Sequence, residues 1–168
     1  MRKYCKAFTL IELTVVIAII SLSLAIALPK IKSSSDPQFL LRLSTNKIAS
    51  VLEYAYQQAA SKRLTYYLNI NSNDGTYWIT KKDKDGRDVP QKEQLNLDGQ
   101  LPQGVELLRI KMFGENIISQ ETIAIRLSPD GYADPAEIIL ACSSGEAMSI
   151  TIDEYSGKVR TNTLEAMN

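Results

Sequence analysis

The sequence predicts an α+β protein: a long N-terminal helix, its first half apolar, packed on a small antiparallel β-sandwich or β-sheet head. Three observations lead there. From Leu13 to Leu28 no residue is charged and only Thr14, Ser21 and Ser23 are polar. From about Pro37 to Arg63 apolar residues recur at helical spacing. After Arg63 the period falls to two, and short strand-like runs follow one another between turn residues. A helix followed by such a run makes an α+β head whose meander needs no parallel crossovers.

The first element, Phe8 to Leu28, would be about 31 Å long as a helix, close to the hydrocarbon thickness of a bilayer. Arg2, Lys3 and Lys6 precede it with no acid among them, which orients residues 1–7 toward the cytoplasm. Glu12 breaks the apolar pattern, and an unpaired charge in such a stretch is costly and usually functional. An ordinary secretory signal cleaved after Ala25-Ile26-Ala27 fits the spacing, and so does a plain signal anchor. Neither has a use for Glu12. No cysteine follows the apolar run, so a lipobox is absent.

Composition limits the function classes. Hydrophobic content of 45% with 23% charged residues is that of a globular chain. Some 30 N-terminal residues aside, the remainder suits one domain. The formal net charge is zero, and removal of residues 1–7 leaves sixteen basic against nineteen acidic side chains. That balance disfavours a nucleic-acid binder. The chain contains no histidine, which removes the commonest general base, the usual triads and most zinc sites. Cys5 and Cys142 would lie on opposite sides of a membrane, so no internal disulfide is expected, and Cys142 reads as a small buried residue. No metal or other cofactor is implied.

The residues Lys6-Ala7-Phe8-Thr9-Leu10-Ile11-Glu12-Leu13 resemble the class III signal of type IV prepilins and type II secretion pseudopilins. The short basic leader, the FTLIEL run, the apolar stretch and Pro29 agree in spacing. The resemblance implies cleavage by a prepilin peptidase between Ala7 and Phe8, with N-methylation of Phe8. Glu12 then becomes the fifth mature residue, placed to pair with the N-terminal amine of a neighbouring subunit, and Pro29 marks a helix kink. The family usually has glycine where Ala7 stands; alanine, also small, occurs in some members and permits cleavage, at most more slowly. The implied division is a leader at 1–7, a transmembrane and filament-core helix at 8–28, a kink or linker at 29–36 and a periplasmic head at 37–168.

Pro29 cannot close the backbone bond to the Ala25 carbonyl, which predicts a kink or break there. Ser33-Ser34-Ser35-Asp36-Pro37 reads as an interruption, with Asp36 as N-cap and Pro37 at the first helical position of the next segment. In that segment Leu40, Leu43, Val51, Leu52, Ala55 and Ala59 form the expected buried stripe, with Tyr54 and Tyr56 at its edge. Tyr66, Leu68 and Ile70 alternate with Tyr67 and Asn69, and Asn73-Asp74-Gly75 turns the chain into Tyr77-Trp78-Ile79, a hairpin. Lys81 to Gln94 is charged and rich in turn residues, and is expected to be an exposed loop. Its Asp83–Asp88 stretch is similar to a calcium loop, but glycine falls at the fourth place, Arg87 stands where a ligand should be, and the closing glutamate is missing.

Further strands are expected at Val105–Phe113, Thr122–Leu127, Glu137–Cys142, Met148–Ile152 and Lys158–Thr161, separated by Gly114, Pro129-Asp130-Gly131, Ser143-Ser144-Gly145 and Ser156-Gly157. The succession Ile125-Arg126-Leu127-Ser128-Pro129-Asp130-Gly131, Ile150-Thr151-Ile152 and Ser156-Gly157-Lys158-Val159-Arg160 resembles the H-type pseudopilins and the FimT-type minor pilins. Ser156-Gly157-Lys158 is no phosphate loop, because the upstream glycine frame is missing.

The function implied by the resemblance is a minor pseudopilin or minor pilin, a structural subunit and no enzyme. Its expected place is the inner membrane, single-pass with the head in the periplasm, and then a pseudopilus or pilus filament. Prepilin peptidase and other pilins or pseudopilins are the implied partners. Two rivals remain. A DNA-uptake pilin would use Lys81, Lys82, Lys84, Arg87 and Lys92, but Asp83, Asp85, Asp88 and Glu93 cancel most of that field. A secreted or signal-anchored periplasmic enzyme would rely on carboxylates such as Asp130 with Asp153 or Glu154, each of which sits where turns favour acids.

Overall fold

The computed structural model describes residues 9–31, 36–82, 87–90, 97–116 and 121–164, with the backbone alone at 24–31, 88 and 90. The chain divides into two units, Met1–Asp36 and Pro37–Asn168.

The first unit carries α1, Leu10–Ile31. Thr9 starts it as N-cap: its hydroxyl accepts from the Glu12 amide at 3.3 Å, and its carbonyl accepts from Glu12 and Leu13 at 3.1 and 3.2 Å. Within the apolar run the Thr14 and Ser23 hydroxyls donate to the carbonyls of Ile11 and Ile19, each at 2.8 Å. Those polar groups are thus satisfied inside the helix, as an apolar surrounding requires. Among the described residues no helix is long and apolar enough to cross a membrane. The α1 backbone is helical over 22 residues. Pro29 lies in its last turn, and residues 32–35 are outside the described residues.

The second unit opens with α2, Pro37–Lys62, which begins at the proline that follows Asp36. Its buried stripe is Leu41, Ser44, Thr45, Ile48, Val51, Leu52, Ala55 and Ala59. This corrects the phase of the first two turns, for Leu40 is half-buried and Leu43 exposed. Hydropathy misses it because two inward positions are polar. Both are small, and the Thr45 hydroxyl is quenched by the Leu41 carbonyl at 2.8 Å. The helix ends with Arg63 in the left-handed region (φ 53°) and the Leu64 amide reaching back to the Ala59 carbonyl at 3.3 Å, a 6→1 closure of the terminal carbonyls.

Among the described residues ten strands follow in two antiparallel sheets. They are β1 Tyr66–Asn71, β2 Thr76–Lys82, β3 Asp88–Pro90, β4 Gly99–Gln100, β5 Val105–Met112, β6 Glu115–Asn116, β7 Thr122–Leu127, β8 Ala136–Cys142, β9 Ala147–Ile152 and β10 Val159–Leu164. Sheet A runs β3-β2-β1-β7, with β4 also on β2; sheet B runs β10-β9-β8-β5-β6. The order departs from a simple meander, since β1 pairs with β7 and β5 with β8. The expected loop at Lys81–Gln94 is also corrected in part: Lys81 and Lys82 close β2, and Asp88–Pro90 pairs with them as a short edge strand. Pro90 is tolerated because it sits on an edge. Residues 83–86, the body of the supposed calcium loop, lie outside the described residues.

One core joins α2 to both sheets. Tyr66, Leu68 and Ile70 point inward from β1, with Ile79 of β2 and Ile125 of β7 flanking Leu68 in register. Sheet B contributes Ile110, Ile138, Leu140, Ile150 and Ile152. Each fully buried aliphatic side chain contributes about 1.5–3 kcal/mol, so this cluster outweighs any single polar contact in the head.

Candidate functional site

The residues that carry chemistry in the N-terminal unit cluster at the start of α1. Ala7 and Phe8, the expected cleavage pair, lie outside the described residues. Glu12 is at the third position of the helix, in its first turn, with an exposed side chain. There its negative charge complements the helix dipole, a gain of typically 0.3–1 kcal/mol. The structure adds Thr9, whose hydroxyl caps the Glu12 amide and sets where the helix starts. Its signal was in the sequence: Thr-x-x-Glu ahead of an apolar run is the pattern of a capping box. Pro29 lies in the last turn of α1, whose backbone continues to Ile31.

In the head, the acids that an enzyme would need are committed to turns. Asp153 accepts from the Ser156 hydroxyl at 2.7 Å and the Ser156 amide at 2.9 Å, and these bonds hold its carboxyl below the ordinary carboxylate range. Asp74 is lowered in the same way by the hydroxyl and amide of Thr76, at 2.6 and 2.9 Å. Asp130 accepts from the Tyr132 amide at 3.4 Å. Glu154 binds the Tyr132 hydroxyl and pushes its ionisation above the usual range.

A second group locks the Pro129-Asp130-Gly131 turn. Arg126 donates through Nε and Nη2 to Asp134 at 3.3 and 3.1 Å, with Asp134 buried and the Tyr132 ring 5.6 Å from the guanidinium. The Tyr56 hydroxyl donates to the Gly131 carbonyl at 2.9 Å. Its ring also packs so close to Gly157 (φ +60°) that a Cβ there would overlap it. Only glycine fits the Ser156-Gly157-Lys158 turn, which explains that motif structurally.

A groove of about 300 Å³ lies between the β1–β2 turn and β5 and is lined by Asn73, Asp74, Leu101, Glu106 and their neighbours. Among the described residues no group of three or more acidic or cysteine side chains is placed to hold a metal. Cys142 is buried, its sulfur 3.0 Å from the Ser144 hydroxyl. Of the basic residues suited to DNA, Lys82 lies over the Tyr67 ring at 5.5 Å and Arg87 is exposed; Lys84 and Lys92 are outside the described residues.

Residues 2–28 match the prokaryotic N-terminal methylation motif. No curated protein sequence matches the chain. Two structures of the minor pseudopilin EpsH, from the type II secretion system of Vibrio cholerae, share its fold. They have 12% identity and TM-scores of 0.58 and 0.60, covering 73% and 76% of this chain and 96% and 97% of theirs. The solution structure of GspH from E. coli has 15% identity and a TM-score of 0.57, covering 76% of this chain and 92% of its own. The chain thus joins a prokaryotic N-terminal methylation motif to a head with the fold of the minor pseudopilins.

Proposed function

We propose that the chain is a minor pseudopilin or minor pilin, a structural subunit of a type II secretion pseudopilus or type IV pilus. One observation carries the reading: the methylation motif at residues 2–28 stands ahead of a head with the minor-pseudopilin fold in a single chain. Prepilin peptidase cleaves between Ala7 and Phe8 and methylates the new amine of Phe8. The helix 8–28 holds the subunit in the inner membrane, single-pass with residues 37–168 in the periplasm, until it joins other pilins or pseudopilins in a filament. Residues 29–36, with the kink at Pro29, link the two parts.

Glu12 is the assembly residue. Leaving the bilayer for a filament core removes both Glu12 and a neighbour's N-terminal amine from polar surroundings, a cost of several kcal/mol per isolated ion. Pairing the two offsets it and fixes the axial offset between subunits. Thr9 supports the pairing by holding Glu12 in the first turn. No nucleotide-binding sequence is present in the chain, so the energy for assembly comes from another component.

The test is the mass of the mature protein, expressed with and without prepilin peptidase. With the peptidase, the chain is expected to begin at Phe8 and carry one added methyl group; without it, residues 1–7 remain. A chain that begins at Leu28 in both cases is a secreted protein, and the reading fails.

A further inference from the structure

Sheet B ends at β10, and the other sheet edges show what β10 lacks. β3 and β6 are three and two residues long, and β3 ends in Pro90, which has no amide to donate. The edge of β7 is closed by Ala133 and Asp134. Leu127 bridges to Ala133, the Asp134 amide donates to the Arg126 carbonyl at 2.9 Å, and the Asp134 carboxylate accepts from the Arg126 amide at 3.3 Å. β10 has six residues, no proline and an unbroken register against β9, and among the described residues no strand lies on its far side. Its four central residues, Arg160, Thr161, Asn162 and Thr163, are exposed.

The direction of the backbone groups follows from the ladder to β9. The Asp153 amide donates to the Lys158 carbonyl at 3.1 Å, and bonding alternates from there, so Arg160, Asn162 and Leu164 bond to Thr151, Ser149 and Ala147. The N–H and C=O groups of Val159, Thr161 and Thr163 therefore point away from β9, toward the open edge. Each is an obligatory hydrogen-bonding group, and their spacing of two residues is that of a strand ladder. An extended backbone matches the whole row; a helix, which bonds its own groups, does not. Side chains narrow the occupant. Val159 packs on the core from the inner face, Leu164 is half-buried on the outer one, and Lys158 and Arg160 are the charged residues from 158 to 164. Arg160 makes no ion pair among the described residues. The acid within its field, Asp153, has one oxygen engaged by the Tyr155 and Ser156 amides and the Ser156 hydroxyl. A second copy laid on this edge would add the same two cations, whereas an acidic strand neutralises them.

We propose that β10 receives an extended segment of a partner polypeptide as an added antiparallel strand, with a Glu or Asp opposite Arg160 and apolar residues opposite Val159 and Leu164. Antiparallel addition continues the pattern of sheet B. It places Arg160 at a non-hydrogen-bonded position, where facing side chains come closest. The pairs made by Val159, Thr161 and Thr163 exchange backbone bonds and supply affinity, while the contacts of Arg160 and Leu164 set the sequence accepted. The inference stands whether or not the chain assembles into a filament.

The test uses the full-length protein in detergent micelles and follows amide hydrogen exchange in β10 by NMR. The probe is acetyl-Val-Thr-Ser-Thr-Glu-Val-amide, which in this register sets its glutamate opposite Arg160 and its first valine opposite Leu164. It is expected to slow exchange of the Thr161 and Thr163 amides saturably and at least tenfold, and to leave those of Arg160 and Asn162, already bonded to β9, unchanged. N-methylation of the second threonine, which faces Thr161, should abolish the effect. N-methylation of the serine, whose amide points away from β10, should preserve it. Replacing the glutamate by lysine should weaken binding at least fivefold. Thr161→Pro removes an outward amide and no bond to β9, so the folded variant should bind no peptide. No protection up to millimolar peptide, equal protection by the two N-methyl peptides or by the lysine peptide, or protection that rises with protein concentration alone would each overturn the proposal. If Thr161→Pro fails to fold, the N-methyl pair decides.

Discussion

Replacing Glu12 with alanine is expected to leave membrane insertion intact and to reduce filament incorporation by two orders of magnitude or more. Insertion depends on the apolar run from Leu13 to Leu28, which the substitution leaves untouched and even extends. In the proposed filament, incorporation buries a neighbour's N-terminal amine, and without Glu12 that amine would be buried unpaired. Removing one member of a buried pair costs about 3–5 kcal/mol, and each 1.4 kcal/mol is tenfold in an equilibrium. The Thr9 cap bonds the backbone amide of residue 12, so it survives the change and the helix start is preserved. Glu12→Gln should fall in between, since it keeps a hydrogen-bond acceptor but not the charge. Fractionation of membranes and sheared filaments measures both quantities. Normal incorporation of Glu12→Ala would remove the pairing from the account.

The second large effect is expected in the head. Leu68 is fully buried at the centre of sheet A, between Ile79 and Ile125 on its two neighbouring strands. Truncating Leu68→Ala removes the transfer energy of three carbons and leaves a cavity that the flanking β-branched side chains cannot fill. The expected loss is about 2–5 kcal/mol, a large share of the 5–15 kcal/mol typical of a domain. In urea titration the midpoint should fall with the slope unchanged. A loss below 0.5 kcal/mol would mean that β1 is not the centre of the core.

How much of this was legible in the sequence follows from which forces set each element. Helix α2 and strands β1, β2, β5 and β7 to β10 stand where periodicity placed them, because long runs with one buried face leave few alternatives. The phase at the start of α2 was not legible, since Ser44 and Thr45 are buried by size and by a local hydrogen bond instead of by hydrophobicity. The short strands β3, β4 and β6 exist only because a longer strand offers them an edge, and two or three residues carry no period of their own. The pairing of β1 with β7 and β5 with β8 is set by how the two sheets share one core, which no local pattern records.

Of the candidate assembly stretch, the structure describes Thr9 and Glu12, and the Thr9 cap was readable from the capping pattern; Ala7 and Phe8 lie outside the described residues. The slip in the β5–β8 ladder between Leu107 and Arg109 was not readable, because a register shift leaves no local mark in the residues of one strand.

The account turns on contact between Glu12 and the N-terminus of another subunit. Filaments assembled from a mixture of unlabelled and nitrogen-15 chains, treated with dicyclohexylcarbodiimide and analysed by mass spectrometry, test it directly. The account predicts an amide bond between the Glu12 carboxyl and the Phe8 amine, formed between labelled and unlabelled chains. Filaments in which Glu12 is recovered only unmodified or as its acylurea adduct, with no such bond, would contradict it.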